Sequence, residues 1–365
     1  MESIQSGRTS TQPHKPLQRE TERYRHRRKI EEAAAELEKA RLARFSAADL
    51  VSNDQRRQLA AFHPMLEQRY FIETHETADF YDIVCDHAMA RKSGLYVIGE
   101  YRVGKTTSMV KTMDSLHRDM PWIAILYHSA TRKANQSKKS FCEDLLKSFR
   151  YPWSIFQDSE DLLARFMMTE AVQVGSRTCL LFVDEAQMLT VKHVRYLLEI
   201  WNELRQEDFI LVTVLVGQEG LESLKTLTED EDHGAVLARF FVKKYVLGGL
   251  HSLEDVRKYL GAYDTKLLFP GPEWPFARFF CMKAFDGGWR LESEAERFWH
   301  ELVDHSSAAD KMLAYTGFRL AFVNDSIHAF LLDSMKGDSK SFKGSKDAWK
   351  EAVSHAAESE LFIGR

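Results

Sequence analysis

Tyr96-Val97-Ile98-Gly99-Glu100-Tyr101-Arg102-Val103-Gly104-Lys105-Thr106-Thr107 decides how this chain folds. A short apolar run leads into two glycines five apart, then Lys-Thr, then a segment with helical composition. The pattern is G-x-x-x-x-G-K-[ST], set between a strand and a helix as a phosphate-binding loop requires. The chemistry explains each position. Glycines reach backbone dihedrals that a side chain forbids, so consecutive N–H groups can turn inward around a phosphate. The helix that follows contributes its positive N-terminal end, and Lys105 a point charge at the β- and γ-phosphates. Thr106 offers a hydroxyl to Mg²⁺. Gly99, Glu100, Tyr101, Arg102, Val103, Gly104, Lys105, Thr106 and Thr107 are therefore the expected nucleotide-binding residues.

Outward from this loop the chain alternates. Trp122–Tyr127, Cys179–Val183 and Phe209–Val216 are further apolar runs, with Tyr245–Leu247 a possible fifth strand. They are apolar throughout rather than alternating, as parallel strands covered on both faces must be. Helical patterning fills 106–118, 137–150, 159–173, 191–206 and 219–226, and precedes the loop over 47–68 and 76–91. Strands alternating with helices predict an α/β fold with a doubly wound parallel sheet. After residue 250 the strand signal stops. Segments 252–260, 274–285, 292–304 and 318–336 read as helices, an all-helical domain. The expected organisation is a basic and polar N-terminal extension over 1–45, a nucleotide-binding domain over 46–250, a helical domain over 251–336 and a tail over 337–365. The tail carries a possible short helix at 348–361. Residues 1–20 read as disordered. The basic cluster Arg23–Lys29 is either an arm for phosphates or a partner, or a solvated helix start.

Composition sets the bounds. The 365 residues exceed what one compact core usually spans, and 44% hydrophobic with 28% charged content is ordinary for a globular protein. The net charge of −4 means that any nucleic-acid contact needs a local basic face. The four cysteines, Cys85, Cys142, Cys179 and Cys281, lie far apart without a C-x-x-C pair, which disfavours a zinc site or a disulfide framework. With no signal-peptide pattern and no apolar run of membrane-spanning length, the expected location is cytoplasmic.

Cys179-Leu180-Leu181-Phe182-Val183-Asp184-Glu185 is an apolar strand ending in two acids. An acid at the C-terminal end of a strand beside the loop is needed to hold the Mg²⁺ shell, which suits Asp184. Glu185 would then face the γ-phosphate, where a carboxylate orients and deprotonates the attacking water. Catalytic Lys105 and Glu185, with Thr106 and Asp184 at the metal, form an expected hydrolysis site for ATP and Mg²⁺.

The strings G-E-Y-R-V-G-K-T-T, L-L-F-V-D-E-A-Q and L-V-G-Q, with a helical C-terminal lid, resemble the AAA+ ATPases. Within them the closest resemblance is to transposition regulators of the TniB/TnsC kind, with MuB more distant, over residues 50–335. That resemblance implies further roles. Gln218 falls where such proteins place sensor 1, which reads the γ-phosphate, unless it is an ordinary loop glutamine. Arg239 resembles an arginine finger completing a neighbour's site in trans, the alternative being a surface ion pair. Arg319, in Gly317-Phe318-Arg319, resembles sensor 2, closing the lid on ATP. The resemblance also implies a ring or helical homo-oligomer on double-stranded DNA, partnered by a transposase and a target-selection protein. For DNA, the loop after the second strand offers Arg132, Lys133, Lys138 and Lys139, suited to phosphate contacts without base readout, or simply a solvated loop.

The sequence thus leads to an ATPase that assembles on target DNA, recruits or activates a transposase, and disassembles on hydrolysis. A signalling, defence or replication-initiator-like ATPase acting through protein partners is the alternative reading.

Overall fold

A computed structural model of the chain describes residues 49–363 apart from 133–136, 152–157, 231–232, 271, 306–315 and 343, together with Ala33 and Glu36, which are helical. The N-terminal basic cluster and Lys133 lie outside the described residues.

In chain order, helices α1 (Asn53–Ala60) and α2 (His75–Met89) lead to strand β1 (Leu95–Ile98) and helix α3 (Lys105–Asp119). Strand β2 (Ala124–Ser129), helices α4 (Lys138–Ser148) and α5 (Ser159–Gln173), strand β3 (Thr178–Asp184) and helix α6 (Val191–Gln206) follow. Strand β4 (Ile210–Gly217), helices α7 (Gly220–Asp230) and α8 (Gly234–Phe240), and strand β5 (Lys243–Val246) complete the α/β half. The five strands form one parallel sheet in the order β2-β3-β4-β1-β5.

That order explains the strand compositions. β1 and β3 are buried at every residue and β4 at all but its first, because helices cover both faces. The edge strands differ: β2 alternates buried and part-exposed positions, and β5 is mostly exposed. On one face Phe141, Leu163, Val194 and Leu197 pack from α4, α5 and α6. On the other, Phe80, Val84, Met109 and Leu116 pack from α2 and α3. The sheet order also sets β1, which carries the glycine loop, beside β4, with β3 one strand further on. The three C-terminal ends that would surround a phosphate are thereby brought together.

The rest of the chain forms the second core. Helix α9 (Leu253–Thr265), a two-residue antiparallel ribbon of β6 (Leu268–Phe269) and β7 (Trp274–Pro275), and short helices α10 (Phe276–Phe280) and α11 (Met282–Asp286) come first. Then come α12 (Ala295–His305), α13 (Leu320–Ser334) and α14 (Lys346–Ile363).

Several elements depart from the sequence reading, each for a local reason. The helix expected over 47–68 stops at Ala60, because Pro64 disfavours helical backbone at His63 and the chain continues through i→i−3 turns. The helix expected over 274–285 is two, broken at Cys281 (φ −124°, ψ 58°). The second piece is capped from afar, its Lys283 and Ala284 N–H groups donating to the Asp338 carboxylate at 2.9 Å each. The C-terminal domain is not purely helical, since it contains the β6–β7 ribbon.

Its core also draws on both flanks of the expected boundaries. Leu50, Leu59, Met65 and Ile72 from before the α/β half pack into it, as do Trp349, Ala352 and Val353 from the stretch read as a tail. Trp349 is wholly buried and stacks on Phe330, with ring centroids 3.8 Å apart, and on Phe298 at 4.3 Å. The buried Arg56–Asp338 ion pair (3.4 Å) ties α1 to the segment before α14.

Candidate functional site

A cleft of about 390 Å³ lies where the glycine loop faces the C-terminal domain. One wall is made by Tyr101, Arg102, Gly104, Lys105, Thr106 and Thr107, with Glu185 and Gln218 from the neighbouring strand ends. The other is made by Gln68, Tyr70, Phe71 and Ile72 and by Leu320, Ala321, Asn324, Asp325 and His328 of α13.

The loop follows from its glycines. Gly99 has no room for a Cβ, which would meet the Leu247 carbonyl oxygen at 2.9 Å and the Lys105 side chain at 3.1 Å. Gly104 caps α3 in the left-handed region (φ 105°), where it costs glycine little and a branched residue a great deal. Val103 is buried and pins the loop to the domain beneath it. Lys105 is buried, and its Nζ donates to the carbonyl oxygens of Gly99 (3.0 Å) and Glu100 (2.7 Å). Burial lowers the Lys105 pKa, and the carboxylates of Glu185, Asp184 and Glu100 oppose that shift. Held between carbonyls and facing carboxylates, the ammonium is prepared for an anion in the cleft.

Thr106 Oγ1 donates to Asp184 Oδ2 at 2.9 Å, although the two are 78 positions apart. Asp184 is buried, and its Oδ1 accepts the Glu185 backbone N–H at 2.9 Å. Glu185 sits in the left-handed region (φ 52°, ψ 35°), which ends β3 abruptly in the turn at the cleft. Gln218, immediately after β4, also lines the cleft. These groups fit a magnesium nucleotide. The donor set is a hydroxyl and a carboxylate side by side, a hard-oxygen pair that leaves places for phosphate and water oxygens. Beside it lies a cradle that a single Cβ would fill.

Several expected residues lie elsewhere. Arg239 and Arg319 do not line this cleft: Arg239 lies on α8 with its guanidinium 4.8 Å above the Trp201 ring, and Arg319 is the N-cap residue of α13. Arg132 and Lys139 are exposed beyond β2. Lys138 is held by Glu160 (3.0 Å) and Glu199 (2.9 Å). Burial acts to lower its pKa, but hydrogen bonds with the two carboxylates outweigh this and raise it.

Other residues were not legible as site residues. The Tyr70 hydroxyl bonds Tyr263 (2.7 Å) and His328 Nε2 (2.9 Å), while Tyr259 donates to Asn324 (2.8 Å), giving the far wall a polar network. Arg102 of the loop pairs with Asp325 of α13 at 3.5 Å, and Thr316 donates to Glu100 at 3.2 Å, joining the two walls. Gln187 contacts both Glu185 and Gln218. Arg102 and Glu100 were expected from the loop pattern, and of the others only Gln187 left a sequence signal, in the D-E-A-Q string. All four cysteines are free.

Fold and loop together give a P-loop α/β core, and residues 88–224 match the AAA domain family. None of the curated proteins matches the sequence. Among solved structures the chain is similar to the Aeropyrum pernix ORC2 protein in its ADPNP and ADP complexes (12% identity, 80% of this chain and 71% of that chain, TM-score 0.48). It is also similar to the Aeropyrum pernix ORC1 protein in complex with DNA (13% identity, 81% and 68%, TM-score 0.46). A third is Cdc6p from Pyrobaculum aerophilum (11% identity, 78% and 79%, TM-score 0.39). Among the described residues, no helix is long and apolar enough to cross a membrane.

Proposed function

We propose that this chain is an ATP-hydrolysing switch that assembles with copies of itself on duplex DNA. It would couple target selection to the recruitment or activation of a transposase. The observation that carries the ATPase reading is the meeting of Lys105, Thr106 and Glu185 in one cleft between the loop and α13, with buried Asp184 bonded to Thr106 just behind it. In this reading the loop N–H groups and Lys105 bind the phosphates, and Thr106 and Asp184 hold Mg²⁺, which neutralises charge on them. Glu185 orients a water and takes its proton, while Gln218 contacts the terminal phosphate. Arg239, outside its own cleft, would complete the site of a neighbouring copy, and Arg319 would act through the position of α13.

The DNA and transposition part rests on the resemblance of the G-E-x-R-x-G-K-T and D-E-A-Q strings to the TniB/TnsC regulators. Arg132 and Lys139, exposed and set apart from the paired Lys138, are the residues we assign to DNA phosphates. The test is to mix the chain with duplex DNA and either ATP or ADP. Expected outcomes are turnover of ATP, ATP-dependent assemblies on DNA, and stable assemblies from Glu185→Gln that bind ATP without hydrolysing it. A DNA affinity that does not fall as salt rises would reject the phosphate contacts. An ATPase that stays monomeric on DNA would reject the transposition reading and favour action through protein partners.

A further inference from the structure

Glu185 occupies a left-handed backbone conformation (φ 52°, ψ 35°), unusual for a residue with a side chain. Such a conformation persists only where its surroundings hold it. The backbone is held by Asp184 Oδ1, which accepts the Glu185 N–H, and by the Met188 N–H, which donates to the Glu185 carbonyl at 2.8 Å. The carboxylate is held by Gln187, whose Nε2 donates to Glu185 Oε2.

The other end of that amide is also occupied. Gln187 Oε1 accepts the backbone N–H of Gln218 at 3.0 Å. This fixes which way the amide points, because a backbone N–H can only donate and a carboxylate can only accept. The oxygen must face β4, and the nitrogen must face Glu185. The slot for the side chain exists because two residues on the other side lack one. A Cβ on Gly217 would stand 2.6 Å from Gln187 Oε1, and a Cβ on Gly220 would stand 3.3 Å from Gln187 Cβ. Gly217 has no positive φ, so space rather than backbone conformation demands glycine there.

We infer that Gln187 is a positioning residue that sets the Glu185 carboxylate by reference to the end of β4, where Gln218 lines the cleft. One carboxylate oxygen is restrained by the amide, which leaves the other to accept a hydrogen bond from water. Movement of residue 218 on meeting a terminal phosphate passes to Glu185 through a single side chain. The inference rests on the proposed ATPase reading.

The test uses steady-state ATP hydrolysis by the full-length chain. Gln187→Met fills the slot without hydrogen bonds. Gln187→Glu keeps the acceptor for Gln218 but turns a carboxylate toward Glu185. Gly217→Ala pushes the amide away from the β4 side. Each should lower kcat about tenfold or more, as expected for losing a hydrogen bond to a charged group, with KM for ATP within about twofold. Because all three break one linkage, the Gln187→Met/Gly217→Ala double variant should be no slower than the worse single. An unchanged kcat in Gln187→Glu would overturn the inference. So would multiplying effects in the double variant, or losses of kcat, KM and thermal stability that move together, the mark of a merely structural residue. Wild-type chain without ATPase activity would instead overturn the proposed function, and this inference with it, before any variant is read.

Discussion

The two walls of the proposed nucleotide cleft are built in opposite ways. The loop wall is local: the run from Gly99 to Thr107 supplies most of it, and the ends of β3 and β4 supply the rest. Its shape is a backbone shape, governed by glycine dihedrals and the start of α3. The far wall is assembled from residues 68–72 and 320–328, some 250 positions apart in the chain, and both are held by the helical core. On the proposed function, phosphate recognition should therefore be lost by a single substitution, whereas the far wall should be most sensitive to the packing behind it.

The largest expected effect tests the first half of that contrast. Lys105→Ala removes the ammonium that faces Asp184 and Glu185. Nucleotide affinity, titrated with a fluorescent ATP analogue, should fall on the order of 100-fold, the scale of charge-assisted hydrogen bonds. Thermal stability should hold or rise, because a desolvated charge is removed from the apo cleft. A variant that binds ATP within threefold of wild type would break the comparison.

Next in size is the packing behind the far wall. Trp349 lies at least 21 residues from any residue of the cleft in sequence, yet it fills the core between Phe330 and Phe298. Trp349→Ala should cost about 3–5 kcal/mol, read as a lower urea midpoint. The loss should weaken nucleotide binding although no cleft residue has changed. Equal destabilisation with wild-type affinity would show that the far wall does not depend on its core.

Acid should find the same weakness. Burial holds His63 near a pKa of about 3 and His328 near about 4, each against 6.5 when free. A histidine kept neutral in the fold contributes fully above pH 6.5, and that stability is lost as pH falls, because the unfolded chain takes up the proton. Asp264 acts in the opposite sense. Burial raises its pKa to about 6 from 3.8, despite the two backbone N–H groups it accepts, so its penalty is relieved as pH falls below about 6. The two histidines span the wider range and prevail. Stability at pH 5 should be roughly 2–3 kcal/mol below that at pH 7 from these groups. Replacing His328 with Gln should remove part of that slope in urea titrations at the two pH values.

What the sequence disclosed divides along the same line. The strands, the parallel sheet and the pairing of Thr106 with Asp184 were legible because glycine spacing and an apolar run ending in acids are local signals. Asn324 and His328 were not, because nothing in a helical segment says which of its polar residues faces a cleft, and Tyr70 lies between helices where no pattern marks it. The packing of α14 was hidden for a similar reason, since a Ser- and Lys-rich stretch masks one tryptophan that fills a core. Gln187 falls between the two cases. It was visible in D-E-A-Q, but its role depends on glycines thirty positions later.

The smallest effect concerns the Arg102–Asp325 ion pair, which crosses the cleft. Arg102 and Asp325 stand 3.5 Å apart with about a quarter of each side chain exposed (25% and 26%), so the pair is worth at most about 1 kcal/mol. Its two members differ in what they offer a polyphosphate. Arg102 Nη1 is buried without a hydrogen-bond partner among the described residues, while the Asp325 carboxylate is a negative charge in the cleft wall. Burial raises the Asp325 pKa and Arg102 opposes this, so the charge is costly where it stands. Neutralising it in Asp325→Asn removes a repulsion and leaves the guanidinium to the phosphates. ATP affinity should therefore rise about three- to fivefold, with adenosine affinity unchanged. If ATP and adenosine affinities both fall instead, the pair is a clasp that holds the two walls together, and the far wall owes part of its position to the loop it faces.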